Sequence, residues 1–254
     1  MDLNMKGKTV LVTGGSKGIG MGCCTVFAEE GCNVVMNYRS DEKSARANAE
    51  ALEASTGVKV QIVKADVSVE EEVVRMFQEL DERGVQLDYL VNNAGNTKVQ
   101  PVAFQEITTK TWRESQEGTL NSAFFVAREF TKRAIEEKRE AAIVNVLAKG
   151  SFHPSRIYNS PYVMAKGGLA ALTTMMAKEL IRHHIRVNGI VPGYVQTEHL
   201  YKDGEPLTEE KRKLLPHGEF ATPYDMGNAA AFLCSERSRQ MIGIFLDCSG
   251  GTMI

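Results

Sequence analysis

Short apolar runs recur along the chain, and amphipathic stretches with a helical period separate them. The runs are rich in β-branched residues, which favour strands, and the first two enclose a helical pattern over residues 18–30. Runs so continuously apolar are typical of strands that helices cover on both faces, so the pattern predicts a parallel, doubly wound sheet. Seven strands are expected, at residues 9–12, 33–36, 60–63, 87–91, 142–146, 185–187 and 244–246.

One segment interrupts this alternation. Over residues 198–221 the chain becomes polar and charged, and Gly204, Pro206 and Pro216 break helices or strands there. We interpret it as an insertion over the carboxyl ends of the strands, where open α/β sheets bind ligands; an ordinary surface loop is the alternative. Because no repeat or linker occurs elsewhere, residues 1–254 are expected to form one domain of the α/β class.

Composition narrows the function classes. The formal net charge is −2 and no long run of like charges occurs, so nucleic-acid binding is not expected. The five cysteines are scattered, with no pair at metal-ligand spacing, so we expect reduced, packed thiols and no metal site. The chain has no stretch of about 18 apolar residues and no signal-peptide pattern at its start, which predicts a cytosolic protein that does not contact membranes.

A glycine-rich turn follows the first predicted strand and opens the first helix. Its sequence is Thr-Gly-Gly-Ser-Lys-Gly-Ile-Gly, and the spacing of Gly14, Gly18 and Gly20 allows a tight turn and a close approach to a pyrophosphate. The N–H groups that begin the helix would point at the negative charge. Glycines also simply end strands, but the order strand, turn and helix at the first crossover favours a dinucleotide site.

Short motifs follow three later strands in the same way: Asp-Val at 66–67, Asn-Asn-Ala-Gly at 92–95, and Pro-Gly at 192–193 with Thr197. Together with the glycine turn they resemble the short-chain dehydrogenase/reductase family, and the resemblance covers essentially the whole chain. It implies a Rossmann-type domain whose 66–67 motif binds adenine and whose segment from 192 to 197 holds the nicotinamide carboxamide. The implied cofactor contacts are Gly14, Ser16, Lys17, Gly18, Ile19, Gly20, Arg39, Ser40, Asp66, Val67, Asn93, Ala94, Gly95, Tyr162, Lys166, Pro192, Gly193, Val195 and Thr197.

The family's Tyr-x-x-x-Lys pair is present as Tyr162 and Lys166, at the start of a helical stretch, so the two side chains share one face. By resemblance, Tyr162 gives or takes the proton at a substrate carbonyl or alcohol. Lys166 lowers the pKa of that phenol and holds the nicotinamide ribose. A tyrosine and a lysine at this spacing are usually surface residues, and only the flanking motifs favour the catalytic interpretation.

Two positions depart from the family's pattern. The family keeps a Ser after the fifth strand, where aligning the strand gives Ala148 and counting back from Tyr162 gives Lys149. It also keeps an Asn in the preceding long helix, where the usual spacing gives Thr119, and Asn121 comes two residues later.

A substitute for the missing hydroxyl lies within reach in the sequence. Ser151, Ser160 or Lys149 could supply the donor if the loop between them is shaped unusually. Loss of one oxyanion donor costs about 10²- to 10³-fold in rate, which predicts a slow enzyme rather than an inactive one.

The cofactor type depends on the end of the second strand, where NAD-dependent proteins of this fold place a carboxylate. This chain has no acid there before Asp41, which is expected to belong to the next helix. Arg39 could instead bind a 2′-phosphate bidentately, together with Lys17 and Ser40. We therefore expect NADP(H) to be preferred, with NAD(H) use possible.

Three functions are compatible with these residues. The first is hydride transfer between NADP(H) and a small-molecule carbonyl or alcohol, such as a 3-oxoacyl thioester, a sugar or polyol, or a cyclic ketone. The second is a degenerate cofactor-binding subunit that supports an active partner of the same fold, and the third is non-redox acid/base chemistry on the same scaffold. The resemblance also implies a homodimer or homotetramer that forms through helices near residues 109–137 and 161–182.

Overall fold

The computed structural model describes residues 2–95, 101–154, 157–197, 208–213 and 215–253. Seven parallel strands form one sheet in the order β3-β2-β1-β4-β5-β6-β7, which confirms the predicted fold class. The strands are β1 (Thr9–Val12), β2 (Asn33–Tyr38), β3 (Val60–Lys64), β4 (Tyr89–Asn92), β5 (Ala141–Val146), β6 (Ile185–Pro192) and β7 (Phe245–Cys248).

The helices connect these strands and cover the sheet. A π-helical segment, Glu117–Asn121, joins the fourth helix to the fifth, and a short 3₁₀ turn, Lys149–Ser151, follows β5. The α-helices are α1 (Gly18–Glu29), α2 (Glu42–Thr56), α3 (Glu70–Glu82), α4 (Thr109–Gln116), α5 (Ser122–Glu136), α6 (Ser160–Leu180), α7 (Glu209–Arg212) and α8 (Pro223–Cys234).

Each face of the sheet carries its own hydrophobic core, because successive side chains of a strand point to opposite faces. Val10 and Val12 of β1 belong to the core that contains Phe27 of α1. Leu11 belongs to the opposite core, with Phe77 of α3. Burial of each such large side chain contributes about 1.5–3 kcal/mol, so strands apolar at every position are stable only between two helical layers.

Helices α1 and α8 approach each other more closely than side chains would allow. A Cβ atom placed on Gly22 would lie 2.1 Å from the carbonyl oxygen of Pro223, and one on Gly227 would lie 2.5 Å from the carbonyl oxygen of Gly22. These glycines therefore let the helix backbones touch. The contact fixes α1, and with it the turn that precedes α1, relative to the rest of the sheet.

Several strands end later than the apolar pattern predicted, among them β2 and β6. The expected β2 ended at residue 36, but Asn37 and Tyr38 pair with Val63 and Lys64 of β3. The expected β6 ended at residue 187, before Gly189, which is in fact an interior strand residue. A Cβ atom on Gly189 would lie 2.7 Å from Leu147 Cδ1, so close packing rather than a chain break requires this glycine.

The strand order reverses between β1 and β4, which creates the crevice where open α/β sheets bind ligands. The glycine turn follows β1 and the Asn-Asn-Ala-Gly motif follows β4, so both lie at this point. Of the insertion expected at 198–221, residues 198–207 and 214 lie outside the described residues. Of the rest, Ala221 pairs with Val195 beyond β6.

The cysteine side chains are free thiols, and all but Cys248 are fully buried. Burial raises the pKa of Cys23 to about 12, which suppresses its reactive thiolate form. Among the described residues, no group of three or more His, Cys, Asp or Glu side chains could hold a metal ion. The helices of the same ranges include none with the length and apolar character needed to cross a bilayer.

Candidate active site

The glycine turn has the geometry of a phosphate cradle. Gly14 and Gly18 adopt φ angles of +60° and +54°, in the left-handed region that favours glycine. A Cβ atom on Gly20 would lie 2.2 Å from the carbonyl oxygen of Gly14, so the third glycine permits the helix to begin against the turn. No side chain of the described residues caps α1, whose first N–H groups have no acceptor within the helix.

Hydrogen bonds connect this turn to two neighbouring strands. The Thr13 hydroxyl accepts the N–H groups of Asn93 and Ala94, both at 3.0 Å, and the Asn93 amide donates to the Thr13 carbonyl at 2.9 Å. The Asn37 side-chain oxygen accepts the Gly14 N–H at 3.2 Å. The sequence interpretation did not assign Thr13 or Asn37, although Asn37 stands out as a polar residue in an apolar strand.

Arg39 follows β2 directly and points largely into solvent, since 72% of its side chain is exposed. Its guanidinium Nη1 lies 3.8 Å from Oδ2 of Asp66, a distance and exposure at which an ion pair is weak. The other Asp66 oxygen accepts the N–H and the hydroxyl of Ser68, at 3.0 and 2.6 Å. Arg39 is thus held loosely while Asp66 is held firmly.

Asp41, the first acid after β2, is already engaged. Its carboxylate caps α2 by accepting the Ser44 N–H at 3.0 Å. That N–H, with smaller effects from the Ser44 hydroxyl and the charge of Lys17, holds the pKa of Asp41 below its usual value. Asp41 is therefore the N-cap of α2, one residue before the helix that the sequence expected it to join.

The segment after β6 runs beside the glycine turn. A Cβ atom on Gly18 would contact Cγ2 of Thr197 at 3.4 Å, which brings Thr197 to the start of α1. A Cβ atom on Gly193 would lie 2.7 Å from the Ser249 carbonyl oxygen, so glycine is required there for close approach. Val195 is buried, and its pairing with Ala221 fixes the segment.

The other predicted cofactor residues differ in how far their side chains are buried. Ser16 is buried, and its carbonyl accepts the Asn48 amide at 2.9 Å. Val67 packs into the core on the α3 side, so its side chain does not face the crevice. Ser40 is exposed beside Arg39, and Ile19 is partly buried in the first turn of α1.

Three elements converge on Lys166 of α6, which is only 4% exposed. Its ammonium donates to the Val146 carbonyl, at the end of β5, at 2.5 Å. A Cβ atom on Gly95, after β4, would lie 3.6 Å from Lys166 Nζ and 3.7 Å from Thr119 Oγ1. Tyr162 lies one turn before Lys166 on the same helix and is partly exposed. The predicted pair is therefore brought to the carboxyl ends of the strands.

Thr119 lies within the π-helical segment, a local widening of the helix that often marks functional sites. It is completely buried. The next residue, Leu120, would contact a Cβ atom on Gly168 at 3.1 Å, so the segment packs closely on α6. The sequence analysis did not predict this π-helix, which includes both Thr119 and Asn121.

The residues that could replace the missing Ser lie in the loop after β5 and at the start of α6. Ala148 follows β5 and directly precedes the 3₁₀ turn, and Ser160 begins α6. The Ser151 hydroxyl is buried, with no hydrogen-bond partner among the described residues. Lys149 directs its ammonium over the Tyr194 ring, 5.0 Å from the centroid.

Burial lowers the pKa of Lys166 to about 8. Between that pH and about 10.4, the unperturbed pKa of a lysine, the unfolded chain binds one more proton than the folded protein. The stability of the protein relative to a Lys166→Met variant is therefore expected to rise by roughly 1.4 kcal/mol per pH unit above pH 8. Urea unfolding of both proteins across this range measures it, and a pH-independent difference would contradict a buried, titrating Lys166.

The fold and site together define an α/β dinucleotide-binding protein of Rossmann type. Residues 14–253 match the family described as enoyl-(acyl carrier protein) reductase. The chain belongs to the short-chain dehydrogenase/reductase family, whose members are NAD(P)-dependent oxidoreductases.

Relatives of this chain match it over nearly their whole length, and two of them illustrate the range of activities. The 3-oxoacyl-[acyl-carrier-protein] reductase FabG of Aquifex aeolicus is 30% identical over 251 residues, 99% of each chain. The D-beta-hydroxybutyrate dehydrogenase of Cupriavidus necator is 32% identical over 259 aligned positions, covering 97% of this chain and 98% of the relative.

Solved structures agree with this assignment. A proposed gluconate dehydrogenase from Agrobacterium tumefaciens superposes with a TM-score of 0.91 at 30% identity, covering 100% of this chain and 98% of its own. A gluconate 5-dehydrogenase from Burkholderia cenocepacia, solved with NADP and tartrate, gives a TM-score of 0.89 at 27% identity, with coverage of 99% and 97%. The similarity therefore extends over the complete fold.

Proposed function

We propose that this protein is an NADP(H)-preferring oxidoreductase that transfers a hydride between the cofactor and a carbonyl or alcohol of a small molecule. The observation that carries the proposal is the convergence of Lys166, Gly95 and Thr119 beside Tyr162, at the carboxyl edge of the sheet. Burial of a lysine lowers the stability of a fold. A buried lysine one turn after a tyrosine therefore favours a role in proton transfer.

The residues present fit a dinucleotide. The tight turn that Gly14, Gly18 and Gly20 permit, together with the uncapped N-terminus of α1, suits a pyrophosphate. Asp66 would bind the adenine end, and the segment from Pro192 to Thr197 would hold the nicotinamide end. When bound, the nicotinamide supplies or accepts the hydride.

Side chains of the protein carry out the proton transfer. Tyr162 donates its hydroxyl proton to the carbonyl oxygen during reduction and takes it back during alcohol oxidation. The Lys166 ammonium stabilises the phenolate that remains and can donate to the ribose hydroxyls. The end of β5 and the π-helical segment keep Lys166 in place for both roles.

The preference for NADP(H) rests on charge. Arg39 is exposed, weakly paired and directly beyond β2, while the Asp41 carboxylate is engaged as a helix cap. A 2′-phosphate would therefore meet Arg39 and Lys17 rather than a free carboxylate. The similar gluconate 5-dehydrogenase was solved with NADP, which supports this choice.

We also propose that the site is atypical, with Ala148 in place of the family's Ser and Thr119 in place of its Asn. Thr119 is buried with its hydroxyl toward Gly95, on the side where Lys166 lies. The Ser151 hydroxyl is enclosed, so it does not face an open substrate site. Carbonyl reduction should then proceed without a full set of oxyanion donors.

Replacing Ala148 with Ser tests this interpretation. We expect carbonyl reduction to accelerate by up to about 10²-fold, because one well-placed hydroxyl donor has that effect on an oxyanion. The measurement is kcat with NADPH, compared with a Ser151→Ala variant. A brisk unmodified activity that falls in Ser151→Ala and does not rise in Ala148→Ser would show that Ser151 is the donor.

The names of the relatives refer to several different substrates. Their names refer to 3-oxoacyl groups on a carrier protein, to hydroxybutyrate and to gluconate. We propose a small molecule of this kind, such as an oxoacyl compound, a sugar or polyol derivative, or a cyclic ketone. Incubation with NADPH and a panel of these carbonyls, followed by loss of NADPH absorbance, tests the function. No turnover of any member, with NADPH bound normally, would oppose it.

We further propose a homodimer or homotetramer in the cytosol. Phe124 on α5 and Met175 on α6 are 42% and 50% exposed, although both are large apolar residues. Exposed apolar side chains on two long neighbouring helices suit a contact with a second copy.

A further inference from the structure

A cation that no carboxylate of the described residues pairs with lies in the turn after β5, which packs on the helix of Tyr162 and Lys166. Lys149 comes directly after Ala148, and its ammonium lies 5.0 Å from the centroid of the Tyr194 ring. Throughout the described ranges of the chain, no Asp or Glu pairs with it. A lysine ammonium over an aromatic face is partly desolvated, and an anion that reaches it can form a charged hydrogen bond.

The Tyr194 ring, which lies under this cation, is held in place by its own neighbours. The Tyr194 ring packs edge-on against Phe220, with 6.0 Å between centroids. The Tyr194 carbonyl accepts the Ala221 N–H at 3.1 Å, which joins the segment after β6 to the chain that precedes α8. Tyr194 therefore has a defined position rather than that of a mobile surface side chain.

The backbone of Lys149 is equally well defined. Its carbonyl accepts the N–H groups of Phe152 and His153, at 3.0 and 2.9 Å. The Phe152 ring packs on Phe245 of β7 at 5.1 Å. The lysine thus extends from a turn that is anchored to the sheet.

This turn also contacts the helix that carries the proton donor. A Cβ atom on Gly150 would lie 3.5 Å from Cγ2 of Val163, the neighbour of Tyr162. Lys149 and Tyr162 consequently extend from elements that pack directly on each other. A molecule whose carbonyl reaches the Tyr162 hydroxyl can place a second group near Lys149.

The cofactor phosphates do not account for this cation. They are expected at the glycine turn after β1 and at Arg39 after β2, whereas Lys149 follows β5. In the strand order, β5 is two strands from β1 and three from β2, or about 10 and 14 Å at the usual spacing. An anionic group on the substrate is therefore the natural partner.

We propose that Lys149 binds a carboxylate of the substrate, and that the protein accordingly acts on oxo acids and the corresponding hydroxy acids. This inference rests on the proposed function and adds the substrate class to it. Tyr194 acts as the positioning residue that holds the ammonium in place. The ion pair forms on a face of Lys149 that no carboxylate of the described chain occupies.

The test compares acids with their neutral esters. Pyruvate, acetoacetate, 4-oxopentanoate and 5-oxohexanoate would each be assayed with NADPH beside the matching methyl ester. For at least one chain length, kcat/KM of the unmodified protein should be about tenfold or more higher for the acid, as expected of a hydrogen bond to a charged group. The Lys149→Met variant should lose that ratio, mainly through KM, and Lys149→Arg should retain most of it.

A matched control removes the same charge elsewhere. Lys59 is exposed before β3, at the opposite edge of the sheet, and Lys59→Met should keep the acid-to-ester ratio. If Lys149→Met keeps the ratio as well, or if no acid exceeds its ester in the unmodified protein, the proposal is overturned.

A binding measurement separates this proposal from the proposed function. The Tyr162→Phe protein, saturated with NADPH, would be titrated calorimetrically with the same acids and esters, so that no turnover is needed. In Tyr162→Phe an acid should bind more tightly than its ester, and in the double variant that also carries Lys149→Met this difference should disappear. That result supports the anion site even if every turnover assay is negative. Equal binding of acid and ester overturns the anion site, even if neutral ketones are reduced.

Discussion

Replacing Tyr162 with Phe is expected to lower carbonyl reduction by about 10²- to 10⁴-fold, the usual contribution of a positioned general acid. The phenyl ring keeps the packing of α6 but has no proton to give. NADPH affinity should stay nearly unchanged, because Lys166 remains hydrogen-bonded to the end of β5 in the variant. Single-turnover NADPH oxidation measures the first effect, and fluorescence titration of the bound cofactor measures the second.

Tyr158 offers a matched control, since it lies four residues earlier and about half of it is exposed. Tyr158→Phe removes the same hydroxyl from the loop before α6 and should leave turnover close to that of the unmodified protein. Full activity in Tyr162→Phe would remove this residue from the mechanism. An equal loss in both variants would indicate that the loop, rather than the phenol, determines the rate.

The second large effect is expected at the cofactor site. Arg39→Asp should reverse the preference between NADP(H) and NAD(H), with a change of roughly 10²- to 10³-fold in the ratio of their kcat/KM values. The variant loses a charged hydrogen bond to the 2′-phosphate and gains a carboxylate that repels it. The same carboxylate can accept hydroxyls of the unphosphorylated ribose.

The control for this substitution is Arg239→Asp, at an exposed arginine beyond the end of α8. It makes the same charge change far from β2 and should leave the cofactor ratio as it was. Equal use of the two cofactors by the unmodified protein would refute the assigned role of Arg39. A preference that survives Arg39→Asp would transfer that role to Lys17.

The architecture was predictable because it depends on local patterns. Apolar runs such as those of β1 and β5 need cover on both faces, and the spacing of Gly14, Gly18 and Gly20 is tied to backbone geometry. Strand ends were less predictable where a residue serves tertiary packing. The expected β6 ended two residues before Gly189, but β6 continues through this residue, which is glycine because Leu147 occupies the space of its side chain.

The predicted site was incomplete for a related reason. The positions of Tyr162 and Lys166 follow from sequence spacing, whereas the convergence of Gly95 and Thr119 on Lys166 depends on how strand ends pack against a π-helical segment. No local pattern predicted that widened turn. The contact between Lys149 and Tyr194 joins loops that are 45 positions apart in the printed sequence, so only the folded chain reveals it.

The hydrogen bonds that Thr13 and Asn37 make to the glycine turn have a consequence for affinity. They lie wholly within the protein, so folding itself sets the shape of the turn, and the conformational entropy of those residues is lost at that stage. Binding to such a preorganised surface carries little additional ordering cost. Affinity for a dinucleotide would therefore depend on these internal hydrogen bonds of Thr13 and Asn37, and weakening the end of β2 would lower the affinity for a phosphate bound beyond β1.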